Sequence, residues 1–224
     1  MKRNAKRRLL PLAMTLAVLL AGCGEEPRTP APEPAAEVEA AAVSPDELPP
    51  EAFQDPALEQ AIRKACGKMS GTLTQADLDR IERLVLNGTG LRSLSGLEYC
   101  RHLRELHLPH NGLAHVEPLG ELSELRLLNL AGNEGLELTP LQTLTELGEL
   151  NLSGCELSSV KALEPLIGLT ILDLSQNHIE DVTPLGNMTQ MSMLTLTDNP
   201  LDGETLKALQ NLKAGAVILE QPEP

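Results

Sequence analysis

The chain has 224 residues, room for one or two ordinary domains, and a formal charge of −14. A surface that acidic repels nucleic acid and anionic headgroups, so a DNA- or RNA-binding role is excluded and a partner with basic groups is favoured. There is no Trp and only one Tyr and one Phe, so a contact surface built on large aromatics is excluded as well. The N-terminus, "MKRNAKRRLLPLAMTLAVLLAG", has a basic start, an apolar run from Leu9 to Leu20 and then small residues. That is the pattern of a secretion signal, and the apolar run is short for a membrane span. Removing residues 1–22 takes away five basic side chains and no acidic one, which leaves a formal charge of −19.

The signal ends in "LAGC", Leu20 to Cys23. This resembles the lipobox of bacterial lipoproteins. The resemblance implies cleavage before Cys23, which would then carry the lipid. Two or more acyl chains hold a protein stably on a membrane, whereas one does so marginally. Gly24 follows, not Asp; in a bacterium with two membranes this resembles the outer-membrane class. Residues 23–50 continue as "CGEEPRTPAPEPAAEVEAAAVSPDELPP", with seven prolines and almost no bulky apolar side chain. Such a segment cannot build a core and reads as a tether. Its 27 residues after the cysteine would reach about 80 Å as polyproline II and about 30 Å as a coil.

Residues 51–80 read as a helical cap. Asp55 is placed to cap a helix that begins at Pro56 and runs to Cys66, with Gly67 to end it. "TQAD" at Thr74 to Asp77 resembles a second capping start.

From residue 81 the chain repeats itself every 22 residues. The units start at Ile81, Leu103, Leu125, Leu147, Leu169 and Met191, which makes six units over residues 81–212. The shared frame is L-x-x-L-x-L-x-x-N-x-L-x-x-L, which resembles the leucine-rich repeat. The expected fold is an α/β solenoid. Short strands form a parallel concave sheet, a helical cap covers the N-terminal end, and a short helix and strand cover the C-terminal end. Each turn buries its leucines only against its neighbours. Asn111, Asn133, Asn177 and Asn199 share one position of the frame. A buried amide both donates and accepts, so these four are expected to bridge adjacent turns as a structural ladder. Thr89 and Cys155 stand where Asn is expected, and Gly135 occupies an inward slot with its leucine displaced to Leu136. A small distortion without function is expected there. The cap followed by "GLEYC" resembles the N-terminal cap of internalin-type bacterial repeats. No immunoglobulin-like domain or sortase motif follows, so the resemblance implies the fold and not a host-receptor role. The C-terminal cover is expected as a helix over Glu204–Lys213 and a strand over Ala216–Glu220, with residues 213–224 as cap strand and tail.

Cys66 and Cys100 both replace core residues, one in the cap helix and one in the first repeat. A disulfide between them is expected, closing a loop of about 34 residues and contributing about 3–4 kcal/mol in the chain-entropy model. The alternative is two buried free thiols.

No catalytic residue is assigned. His102, His107, His110 and His115 crowd one repeat but diverge in this frame, so no metal site is expected. His107 and Asp173 are three turns apart, about 15 Å, too far for a triad. No phosphate-binding glycine loop and no cofactor motif is present. The outward side chains of the expected sheet form the candidate binding face: Arg83, Glu105, His107, Leu127, Asn129, Glu149, Asn151, Ile171, Asp173, Ser175, Met193, Thr195 and Thr197, with Leu127, Ile171 and Met193 as an apolar strip. The chain therefore reads as a monomeric, lipid-anchored protein-binding module of the bacterial cell envelope, at the outer membrane, acting as scaffold or sensor. Its partner is an unknown protein with a basic surface. The alternative reading is a surface-exposed, adhesin-like module that contacts other cells.

Overall fold

A computed structural model describes residues 46–49 and 51–201, and beyond these residues 205, 207, 209, 212, 217 and 218. The expected secretion signal, Cys23 and most of the expected tether lie outside the described residues.

The repeats form one parallel sheet in chain order. Strands β1 (Arg83–Val85), β2 (Glu105–His107), β3 (Leu127–Asn129), β4 (Glu149–Asn151), β5 (Ile171–Asp173), β6 (Met193–Thr195) and β7 (Val217–Ile218) are each bonded to the next. The register is uniform: Leu84 pairs with Leu106, Leu106 with Leu128, Leu128 with Leu150, Leu150 with Leu172 and Leu172 with Leu194. These central leucines point inward and are buried, while the residues on either side of each face out. Only three residues per turn are extended because the next leucine must also turn into the core. The return path is made of 3₁₀ turns at Leu97–Tyr99, Glu117–Glu121, Thr139–Thr143, Lys161–Leu163 and Thr183–Leu185, each with a fully buried leucine. The architecture is thus an α/β solenoid of the leucine-rich repeat kind.

Among the described residues the only buried polar side chains are Asn111, Asn133, Asn177 and Asn199. Asn133 shows what they do. Its amide Nδ2 donates to the carbonyls of Leu108 (2.9 Å) and Leu130 (2.7 Å), and its Oδ1 accepts from the backbone N–H groups of Asn111 (3.0 Å) and Leu113 (3.1 Å). One side chain so ties two turns where the backbone bends and its own groups cannot pair. Asn111 and Asn177 repeat the pattern, and Asn199 holds Ile179 N–H together with the carbonyls of Leu174 and Leu196. Thr89 joins the ladder by donating its hydroxyl to Asn111 Oδ1. Cys155 has no acceptor of that kind. Its thiol donates to the Leu130 carbonyl (3.3 Å), and Gly135 N–H falls back on the Cys155 carbonyl at 3.3 Å. Gly135 has φ +72°, and one turn further on Glu156 is left in the left-handed region at φ 57° without being glycine.

The cap is built by α1 (Pro56–Cys66) and α2 (Gln75–Leu78). Asp55 caps α1 by accepting from Ala57 N–H, and its other oxygen accepts from Arg92 N–H of the first repeat, so one carboxylate starts the helix and fastens it to the solenoid. Gly67 ends α1 at φ 72°. Thr74 donates both its N–H and its hydroxyl to Asp77, which also holds Lys68 at 2.7 Å; the Lys68 contact is the main reason the Asp77 carboxyl is pulled down to about 2.

Three expectations need correction. Residues 46–49 belong to the cap and not to the tether. Glu47 bridges Thr74 in antiparallel fashion, Leu48 N–H donates to the Leu73 carbonyl, and the Leu48 side chain is buried. The prolines around it hide one apolar residue that finds a non-local partner. Second, Cys66 and Cys100 are not bonded; they and Cys155 are free thiols. The Cys66 thiol lies along its own helix, donating to the Arg63 carbonyl at 3.5 Å. Burial, aided by the nearby Cys66, pushes the Cys100 thiol up to about 12, so the thiolate needed for exchange is suppressed. Third, of the C-terminal helix expected over Glu204–Lys213, the described residues Thr205, Lys207 and Leu209 are 3₁₀ and not α-helical, and of the expected last strand the described residues Val217–Ile218 are extended. At the displaced leucine, Leu136 and Leu138 stay buried, and a groove of about 630 Å³ lies between this turn and the next, bordered by Glu137, Glu156, Lys161 and Glu164.

Candidate functional site

Each strand exposes one residue before and one after its buried leucine, so the sheet surface is two rows of side chains. The pairing fixes them. One row runs Arg83, Glu105, Leu127, Glu149, Ile171, Met193; the other runs Val85, His107, Asn129, Asn151, Asp173, Thr195. Neighbours in a row sit about 4.8 Å apart, the spacing of hydrogen-bonded strands. His107, Leu127, Asn129, Glu149, Asn151, Ile171, Asp173, Met193 and Thr195 together line a shallow groove of about 260 Å³. Ser175 and Thr197 lie past the strand ends on the rim, and Arg83 and Glu105 lie outside the groove.

The two ends of this face differ in charge. Glu105 Oε1 is shared by Arg83 Nε at 2.8 Å and His107 Nε2 at 2.7 Å. The His107 hydrogen bond, and then Arg83, hold the Glu105 carboxyl below its ordinary range. That end is internally neutralised. At the other end Glu149 is exposed, and among the described residues no hydrogen bond or ion pair reaches its side chain. Asp173 uses Oδ1 to accept from the N–H (3.0 Å) and hydroxyl (2.7 Å) of Ser175. Asn129 and Asn151 use their side-chain oxygens in the same way, for Ala131 N–H and Ser153 N–H. This role explains the residue types: each stands where the chain leaves the strand, and a short carbonyl or carboxylate two residues upstream closes the turn.

The apolar strip is not continuous. Glu149 stands between Leu127 and Ile171 in the same row, so the strip is one leucine, one carboxylate and then Ile171 with Met193, the last 45% exposed. Val85, 47% exposed, extends the second row by one strand beyond His107 and was not among the expected face residues. Its signal was available in the sequence, since it lies 22 residues before His107.

The four histidines do not converge. His102 faces Glu124, His107 faces Glu105, His115 faces Glu117, and the His110 ring packs over Gly132. Among the described residues no group of three His, Cys, Asp or Glu side chains could hold a metal ion, and no helix is long and apolar enough to cross a membrane. His107 and Asp173 stand on β2 and β5, three strands apart, about 14 Å.

Residues 53–177 match the family described as the leucine-rich repeat domain of the endo-beta-N-acetylglucosaminidase EndoS. The chain belongs to this leucine-rich repeat family. Internalin H of Listeria monocytogenes serovar 1/2a (strain ATCC BAA-679 / EGD-e) is 46% identical over 61 residues, which is 26% of this chain and 11% of the relative. Two solved structures from Listeria monocytogenes str. 4b F2365 are similar. An internalin, InlF, matches with TM-score 0.60 and 29% identity over 72% of this chain and 55% of its own. Internalin C2 matches with TM-score 0.58 and 26% identity over 76% of this chain and 94% of its own. The chain thus spans about a tenth of the length of internalin H and about half of that of the first internalin structure. It is an internalin-like leucine-rich repeat protein.

Proposed function

We propose that this chain is a lipid-anchored protein-binding module of the bacterial cell envelope, tethered through Cys23, with the concave sheet as its contact surface. The observation that carries the reading is the pair of outward rows. Six consecutive strands in one register present twelve side chains on a backbone fixed by ladder bonds and buried asparagines, and nine of them line one groove. A rigid array loses little entropy when a partner orders on it. The similarity to internalins, whose repeats share the fold, supports the protein-binding class; the lipobox-like "LAGC" supports the anchor. Nothing in the face is arranged for chemistry on a substrate, so we read the chain as a scaffold or sensor.

A photo-crosslinking residue at position 193 on the concave row, compared with one at exposed Ser159 on the opposite side, tests the face in living cells. Discrete adducts at 193 and none at 159 are expected. Equal adduct patterns at both positions would overturn the concave assignment. The second reading, an adhesin-like module contacting other cells, uses the same face on the other side of the membrane. It draws on the tether, whose length would hold the repeats away from the lipid. Protease treatment of intact cells carrying a C-terminally tagged chain separates the two. Digestion without permeabilisation favours the exposed module, and protection until permeabilisation favours the periplasmic scaffold.

A further inference from the structure

Resting on the reading of the concave face as a binding surface, we infer that its groove takes an extended peptide segment in which a basic side chain is flanked by aliphatic ones, the cation being seated between Glu149 and Asp173. The charge pattern of the face points there. Its two basic groups, Arg83 and His107, are both spent on Glu105. What remains is the Glu149 carboxylate, with no partner among the described residues, and the second oxygen of Asp173, since Oδ1 serves Ser175. Among the described residues the face therefore offers unmatched negative charge at one place only.

The placement is set by the sheet. Glu149 lies directly across from Ile171, and Asp173 is two residues further along β5. One strand spacing of about 4.8 Å and two residues of about 3.3 Å each put their Cα atoms on a diagonal of about 8 Å. A guanidinium or ammonium group placed between the two carboxylates reaches both at hydrogen-bond distance, and a guanidinium has donors enough for two acceptors at once. Ile171 occupies the corner of that diagonal, and half-exposed Met193 lies beside it on the next strand. These two receive the aliphatic stem of the basic residue and its apolar neighbours, and Leu127 on the other side of Glu149 receives one more. Asn129 and Asn151 have their oxygens engaged in their own turns, which leaves their N–H₂ groups to donate to peptide carbonyls. Surface ion pairs contribute little by themselves. The aliphatic contacts must supply most of the affinity, and the carboxylate pair supplies the preference for a cation and a dependence on salt.

The test uses the full chain in detergent and fluorescence anisotropy with labelled ten-residue peptides of alternating valine and arginine, valine and serine, or valine and glutamate. The arginine peptide should bind at least tenfold more tightly than the other two and weaken between 50 and 300 mM salt. The double change Glu149→Gln with Asp173→Asn should reduce arginine-peptide affinity at least tenfold. Asparagine already stands at the matching positions 129 and 151 and closes the same turn, so the fold is kept, and an unchanged circular dichroism spectrum checks this. Glu164→Gln, on an exposed carboxylate outside the face, should leave affinity within twofold. Absence of arginine-peptide binding, or binding indifferent to the double change, overturns the inference. If the serine or glutamate peptide binds as well and Met193→Asp abolishes it, the concave-face reading stands and the basic preference falls. If peptide binding ignores Met193→Asp and the double change alike, both fall.

Discussion

Asn133→Ala is the sharpest probe of what holds the stack together. The side chain is fully buried and makes four hydrogen bonds, two to carbonyls and two from backbone N–H groups. The carbonyls have a second partner each. Leu108 also accepts from Asn111 Nδ2 and Leu130 also accepts from the Cys155 thiol. The N–H groups of Asn111 and Leu113 have none and would be left buried and unpaired. At about 1–3 kcal/mol for each unsatisfied group, the loss is about 2–6 kcal/mol. That is a large part of the 5–15 kcal/mol that holds a typical domain. Asn129→Ala is the matched control: the same residue type four residues earlier in the same turn, half-exposed and holding only Ala131 N–H. It should cost about 0.5–1.5 kcal/mol, the net worth of one hydrogen bond. Urea unfolding followed by far-ultraviolet circular dichroism measures both. A cost below about 1 kcal/mol for Asn133→Ala, or one equal to that of Asn129→Ala, would show that water or backbone movement satisfies the freed groups and that the ladder is not what bonds the turns.

Four further outcomes are expected. Glu156→Gly should stabilise the chain by up to about 1–2 kcal/mol, because a side chain in the left-handed region is relieved; a lower melting temperature would count against the strain. Gly96→Ala should destabilise by about 2 kcal/mol or more, since φ is +101° and a Cβ would strike the Phe53 ring and come within 2.7 Å of the Ala52 carbonyl oxygen; an unchanged unfolding midpoint would refute this. Alkylation of the native chain at mildly alkaline pH followed by peptide mapping should label Cys66 well before Cys100, and denatured but unreduced protein should label both; a Cys66–Cys100 linked peptide would restore the disulfide. Asp77 is pulled down to about 2 from 3.8, so its contribution is fully present above about pH 4 and lost as the pH falls towards 2. The melting-temperature gap between the native chain and Asp77→Asn should accordingly close over that window, and a gap as wide at pH 2 as at pH 5 would contradict it.

The parts of this fold that follow a local rule were legible. Leucine spacing gave the strands and the inward face, because each turn solves the same packing problem with the same residues. Asp55, Pro56 and Gly67 gave the limits of α1 because capping acts within one turn. What escaped depends on contacts between distant segments. Leu48 sits among prolines, and only the approach of Leu73 and Thr74 turns it into a core residue. The thiols of Cys66 and Cys100 occupy neighbouring elements, yet side-chain direction decides whether sulfur meets sulfur, and spacing does not report direction. Glu149 was counted on the face, and its place inside the apolar row was readable from the same 22-residue step, since Leu127 and Ile171 stand 22 residues to either side. The neutralised cluster at Glu105 was not, because it depends on which way the Arg83 and His107 side chains turn.

The irregular rung and the acidic strand belong to the same repeat. Cys155 and Glu156 lie in the loop after β4, which carries Glu149, and Gly135 faces them from the repeat before. The ladder there has thiol contacts to the Leu130 and Ser153 carbonyls in place of an amide that donates twice and accepts twice. Yet β4 keeps full pairing with β3 and β5, and Leu150 and Leu152 stay buried. A one-dimensional stack tolerates this because each interface is stabilised separately, so a weaker rung on the loop side leaves the register of the sheet side intact. The positions of Glu149 and Asp173 relative to each other are then set by strand pairing alone. Changes at Gly135, Cys155 or Glu156 should alter stability, while the preference of the groove for its ligand follows the two rows of outward side chains.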